Sequence, residues 1–212
     1  RLSALAGALL ESLPDPDFNS PPIRFDLSKE STTNSLHAFL NSDRCPDGSH
    51  VVCYGAGLKS VQPVTISHKS LRVEFESTGA TPLNVRSAVE QPDGALFTIK
   101  DGALELIGAP LSVPESRSRA VSPTLLRVEG GFVSLQRCQF TVPVETPLHR
   151  AVIEWPSGRR PRQVVISHCT IRGTNALLGG SLAGASLLIE NSLLISGGTA
   201  IYLDGSRQQA EI

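Results

Sequence analysis

Between Leu96 and Leu203 the chain repeats one short pattern. An apolar run leads to a turn carrying Gly or an acid. A second apolar run, a small polar kink, a third apolar run and a loop follow. The first runs are Leu96-Phe97-Thr98-Ile99, Leu125-Leu126-Arg127-Val128, Ala151-Val152-Ile153, Ala176-Leu177-Leu178 and Ala200-Ile201-Tyr202-Leu203. With Phe97, Leu126, Val152, Leu177 and Ile201 taken as equivalent, the steps are 29, 26, 25 and 24 residues. A repeat of this length belongs to solenoids and arrays, whose units bury their apolar face only against neighbouring units.

The second runs begin at Ala103, Phe132, Val164 and Ser186, and several alternate apolar with polar residues, as a strand with one buried face does. Each leads to a pair with a small second member: Gly108-Ala109, Arg137-Cys138, His168-Cys169 and Asn191-Ser192. The third runs then leave at a new angle, around Leu111, Phe140, Ile171 and Leu193–Ile195. The links are too short for crossover helices. The expectation is therefore an all-β solenoid of parallel strands, about six rungs with three strands per rung, each strand ~4.8 Å from its counterpart one turn away. Parallel crossovers are right-handed, which sets the expected hand. Residues 109, 138, 169 and 192 should form a stacked column of small residues.

The run from Leu125 to Phe140, with Glu129-Gly130-Gly131 at its turn and Arg137-Cys138 at its kink, resembles a rung of the right-handed parallel β-helix, the pectin-lyase-like fold. The run from Ser186 to Ile195 resembles one too, and the resemblance extends over about 22–203. In that family a short helix plugs the N-terminal mouth of the coil. Leu36, Ala38, Phe39 and Leu40, with a cap at Ser31–Thr33, fit such a helix, and Cys45-Pro46-Asp47-Gly48 into His50–Tyr54 resembles the approach to the first full rung. A plug has a physical purpose, since an open coil end exposes strand edges. From fold analogy alone, the resemblance also points to an extracytoplasmic location.

Upstream, Leu2, Leu5, Ala6, Leu9, Leu10 and Leu13 form one apolar stripe, so 1–13 reads as an amphipathic helix or the tail of a preceding domain. Residues 14–22 read as a Pro-rich linker, and 23–212 as the β-helix domain, cut within a rung at its C-terminal end. Aromatics make up only 5% of the chain, which suits narrow rungs filled by Val, Ile and Leu. A net charge of −1 and the lack of an aromatic platform argue against nucleic acid, and no apolar run is long enough for membrane insertion.

The acids Asp101, Glu129, Glu154 and Asp204 follow first runs. Stacked, they could hold Ca2+ or act as an acid and base pair on a sugar chain. They read better as turn residues, as do His68 and His168. Family polysaccharide lyases carry several Ca2+-binding acids beside a catalytic Arg, and the polygalacturonases carry Asn-Thr-Asp, Asp-Asp, Gly-His and Arg-Ile-Lys. Neither set is complete here, so no catalytic residue, metal ligand or resident cofactor is assigned. The candidate binding residues are Arg117, Arg119, Arg150, Arg159, Arg160 and Arg162 in loops, which suit carboxylate, sulfate or phosphate groups, and Trp155 beside them, which could stack on a sugar. The expected function is a non-catalytic scaffold or binding surface for a polysaccharide or another protein or domain. The alternative is a lyase or hydrolase of acidic polysaccharide, with Ca2+ in that case only. Pairing of Cys45 with Cys53, or of Cys138 with Cys169, stays open at the sequence level.

Overall fold

The computed structural model describes residues 21–31, 34–88, 94–113, 124–142, 151–156, 158, 162–173, 176–181 and 185–204. The helix expected over 1–13 and most of the 14–22 linker lie outside them. The described residues are mostly strand, and every strand pairing among them is parallel. Numbered β1 to β17 along the chain, the strands fall into three columns.

The first column holds the N-terminal parts of β4 (Val64–Ser77) and β6 (Ala95–Ile107), then β8 (Thr124–Val128), β11 (Ile153–Trp155), β14 (Leu178–Ser181) and β17 (Ile201–Asp204). The second holds β1 (Ile23–Asp26), β2 (His50–Gly55), the C-terminal parts of β4 and β6, β9 (Gly131–Gln136), β12 (Arg162–Ser167) and β15 (Ala185–Glu190). The third is β3 (Leu58–Val61), β5 (Asn84–Ser87), β7 (Pro110–Ser112), β10 (Gln139–Thr141), β13 (Thr170–Gly173) and β16 (Leu193–Ser196). The chain visits the columns in that order, turn after turn.

The apolar residues stack in register. Phe97, Leu126, Ile153, Leu178 and Ile201 form one series, Leu104, Val133, Val164 and Leu187 a second, and Val85, Leu111, Phe140, Ile171 and Leu194 a third. Most are buried in a single hydrophobic core. Each full burial of such a side chain is worth about 1.5–3 kcal/mol.

Several expectations need correction. The first series runs through Ile153 and Leu178, one residue beyond the expected Val152 and Leu177. All four side chains are buried, so apolarity alone cannot choose between adjacent positions. In β4 and β6 the first two strands are continuous through the corner, with the register shift absorbed around Ser67. A short 3-10 turn, Leu27–Lys29, follows β1.

The helix α1 (Leu36–Leu40) is capped by Ser35 rather than by Ser31–Thr33. The Ser35 hydroxyl accepts the Ala38 amide at 3.0 Å. Five residues do not make a stable helix in isolation. Here Leu36, Phe39 and Leu40 are buried, and the Phe39 ring lies 5.0 Å from that of Phe25. The Glu30 carboxylate accepts the amides of Leu36 and Gln62, joining the helix start to the coil. At the other end the Lys69 ammonium donates to the carbonyls of Leu40, Ser42 and Cys45 at 3.1, 3.2 and 2.8 Å.

Candidate functional site

Of the seven predicted binding residues, the structure describes two, and both are inside the protein. Trp155 is 2% exposed, at the end of β11. A Cβ at Gly180, one turn on, would overlap its carbonyl and indole, so Gly180 is the space the Trp occupies. The indole Nε1 has no hydrogen-bond partner among the described residues. Arg162 opens β12 instead of sitting in a loop, and it is 1% exposed. Its guanidinium donates to the carbonyls of Pro156 and Gly158, which ties the corner between β11 and β12. Neither side chain offers a surface for a ligand. Arg117, Arg119, Arg150, Arg159 and Arg160 lie outside the described residues.

The acids do not form a row. Glu154 registers with Gly179, and Gly179 with Tyr202, two positions before Asp204. Asp101 registers with Ser67, whereas Glu129 follows Val128, which registers with Ile99. Glu154 is mostly buried. It accepts from Arg127 Nε at 2.7 Å and from the Thr124 hydroxyl at 3.1 Å. Asp101 pairs with His68 Nδ1 at 3.3 Å and accepts the Gly102 amide. Among the described residues no group of three His, Cys, Asp or Glu is placed to hold a metal ion.

The outer face of the second column carries further charges, again paired between turns. Arg72 Nε meets Glu105 at 2.5 Å, and the Gln136 amide donates to the same carboxylate at 2.6 Å. His50 Nε2 lies 3.2 Å from Glu74, and Arg24 lies 2.7 Å from Glu76 while stacking over the Tyr54 ring.

One constellation on this face superficially resembles a hydrolase. The Ser167 hydroxyl lies 2.8 Å from His168 Nδ1 and 3.1 Å from Glu190 Oε1. Nucleophilic activation needs the imidazole to take the hydroxyl proton while the acid steadies the imidazole from its other nitrogen. Here acid and imidazole both contact the hydroxyl, and the acid does not reach the ring. The geometry holds a corner together; it does not build a triad.

That corner is the most regular feature of the molecule. Gly108, Arg137, His168 and Asn191 all have positive φ, at 64°, 54°, 54° and 47°. The amides of Gly108, Arg137 and His168 each donate one turn onward, to Gln136, Ser167 and Glu190. His68 also has positive φ, 56°, but at the other corner, beside Asp101 and Gly102, so the two histidines match in type and not in place. At these corners the chain bends from the second column into the third, and the side chain that follows turns inward.

The next side chains are Ala109, Cys138, Cys169 and Ser192. The Cys138 amide donates to the Cys169 sulfur at 3.3 Å, and the Cys169 amide to the Ser192 hydroxyl at 3.0 Å. Each group in turn points back at carbonyls: Leu106 and Gln136 for Cys138, Leu135 and Ser167 for Cys169, and Ile166 and Glu190 for Ser192. The expected column of small residues is therefore a hydrogen-bonded ladder. All four cysteines are free and buried. The bond with Cys169, together with burial, holds the Cys138 thiol well above its ordinary range, while the bond from Cys138 lowers Cys169. Burial pushes Cys45 and Cys53 up. Sequence reading missed the ladder's bonding, although Cys, Cys and Ser at matching positions was its signal.

No family model, curated protein or solved structure matches the chain. No helix among the described residues is long and apolar enough to cross a membrane.

Proposed function

We propose that the chain is a non-catalytic module of the right-handed, pectin-lyase-like parallel β-helix type, with about six rungs and α1 as its N-terminal plug. It acts as a rigid scaffold or binding surface for a polysaccharide or another protein or domain. The observation that carries this reading is how the charges are used. Arg24, Arg72 and Arg127 are each paired with a carboxylate one or two turns away, at 2.7, 2.5 and 2.7 Å. An acid and base acting on a glycosidic bond must face a common groove, with about 5–9.5 Å between the carboxyl groups and a substrate between them. Carboxylates tied to neighbouring arginines are committed to holding turns together.

The test is direct. Purified chain is incubated with a panel of polyuronates, with and without Ca2+, and unsaturated products and reducing ends are followed. The expected result is no turnover. Turnover that disappears in Glu129→Ala or Asp101→Ala would replace this reading with the lyase or hydrolase one.

A further inference from the structure

Cys138 and Cys169 hold the same place in successive turns. Gln139 registers with Thr170 in β10 and β13, so the residues just before them are opposed as well. Neighbouring parallel strands lie ~4.8 Å apart, inside the roughly 4.4–6.8 Å that the Cα atoms of a disulfide span. Both side chains turn into the core and are buried. The Cys138 amide reaches the Cys169 sulfur at 3.3 Å, so the sulfur of the later turn leans back toward the earlier one. The two thiols are also hydrogen-bonded to each other. The other members of the column, Ala109 and Ser192, carry no thiol, and Cys45 and Cys53 belong to the N-terminal end of the coil.

We propose that Cys138 and Cys169 are a redox staple, joined under oxidising conditions by a disulfide that locks two successive turns in register. The oxidant is a low-molecular-weight disulfide such as oxidised glutathione. The bond between the thiols lowers Cys169 and, with burial, raises Cys138, so Cys169 is the first to ionise and attack. Its thiolate displaces one glutathione thiolate and forms a mixed disulfide. Cys138 then gives up its proton, attacks the Cys169 sulfur and displaces the second glutathione. Two protein thiols and one small disulfide become one protein disulfide and two small thiols, and two electrons pass to glutathione. Burial closes the site to bulky reagents once the coil is formed, so the exchange takes place as the chain folds.

Little is given up on oxidation. The carbonyls of Gln136 and Ser167, toward which the two sulfurs point, also accept the Gly108 and Arg137 amides and stay satisfied. What is gained is a closed loop. The link would enclose β10, β11 and β12, close to a complete turn of the coil. Closing a loop of that length restricts the unfolded chain and favours the folded one by about 100-fold or more. This inference does not depend on what the module binds.

The test refolds the reduced, urea-unfolded 212-residue chain by dilution into a buffer of reduced and oxidised glutathione. Mass spectrometry counts the hydrogens lost, and a peptide map identifies the linked residues. The expected product is a folded chain with Cys138 joined to Cys169. In the same buffer with urea retained, the cysteines should distribute among the possible pairings. The oxidised chain should unfold at higher urea than the reduced one, with the folding equilibrium shifted by about 100-fold. Cys138→Ser keeps a polar group in the column and should abolish that oxidised-minus-reduced difference. The map on the native chain needs no variant, so it decides the matter even if Cys138→Ser folds poorly. Recovery of folded chain with Cys138 and Cys169 still as thiols under excess oxidised glutathione would overturn the proposal. So would a link from either residue to a different cysteine, an oxidised chain no harder to unfold than the reduced one, or a difference that survives in Cys138→Ser.

Discussion

Replacing Lys69 by Met isolates the bond between α1 and the coil. The thioether chain keeps most of the aliphatic packing and removes the ammonium. The carbonyls of Leu40 and Cys45 lose their Lys69 donor, and that of Ser42 loses one donor but keeps the Cys45 amide. Leu40 and Cys45 are fully buried, so water cannot readily replace the ammonium there, whereas Ser42 is half-buried and can be rehydrated. A buried acceptor left without a partner costs about 1–3 kcal/mol. Two of them, offset by the desolvation that the ammonium no longer suffers, give an expected loss of about 3 kcal/mol. Equilibrium urea unfolding measures the total. Amide hydrogen exchange locates it: protection should fall over α1 and 41–45 and stay high in β9 and β12. A loss below about 0.5 kcal/mol, or a uniform loss of protection, would refute the view that Lys69 clamps the helix to the coil.

Three further outcomes follow from the same geometry. Gly102→Ala should destabilise the chain by about 3 kcal/mol or more, because φ is +103° there and the added Cβ would overlap the Lys69 backbone; thermal unfolding reads it out, and a neutral result would mean the stacking at that corner is looser than drawn. Ser192→Ala removes the acceptor of the buried Cys169 amide and should cost about 1–3 kcal/mol in urea unfolding, while Ser192→Cys, which adds a third thiol to the ladder, should recover most of it. Burial raises the Glu30 carboxyl above its ordinary range, against the lowering effect of the Gln62 and Leu36 amides, so the unfolded chain gives up this proton at lower pH than the folded one. Its contribution is then fully present below the unfolded value and lost as pH rises through the folded one, and the stability of the native chain relative to Glu30→Gln should fall as pH rises through and above the ordinary carboxylate range in unfolding titrations; a rise there would contradict the assignment.

The architecture was legible because its signal is distributed. Apolar runs recurring in fixed order require only that several turns agree, and the small-residue column at 109, 138, 169 and 192 came out in place for the same reason. Register was less legible. Val152-Ile153 and Leu177-Leu178 are adjacent apolar pairs with both members buried, so a one-residue choice leaves no trace in hydrophobicity. Two of the proposed binding residues, Trp155 and Arg162, lie inside the protein for a different reason. An Arg in a Pro-rich segment looks like a solvated cation, yet Arg162 lies where the chain turns a buried corner with carbonyls to satisfy. Its role depends on residues that only the folded path brings near. The same holds for Lys69, 24 to 29 residues from its three acceptors.

The inter-turn ion pairs follow from that weak register. Where two adjacent residues are both apolar, as at Val152-Ile153 and Leu177-Leu178, a one-residue slip loses less burial than it would in an alternating strand, so such stretches resist slippage less. A charge pair resists it. Arg127 and Glu154 register directly in β8 and β11, and Arg72 and Glu105 do so in β4 and β6. Moving either pair by one residue sends one member of it to the core face, where an unpaired charge costs several kcal/mol. Each pair contributes little to stability while in place and much against the misregistered alternative. The continuous strands β4 and β6, where a register shift is already spent at Ser67, carry such a pair just beyond the shift, at Arg72 and Glu105. The paired charges are spread along the coil, at positions where the turns could slip.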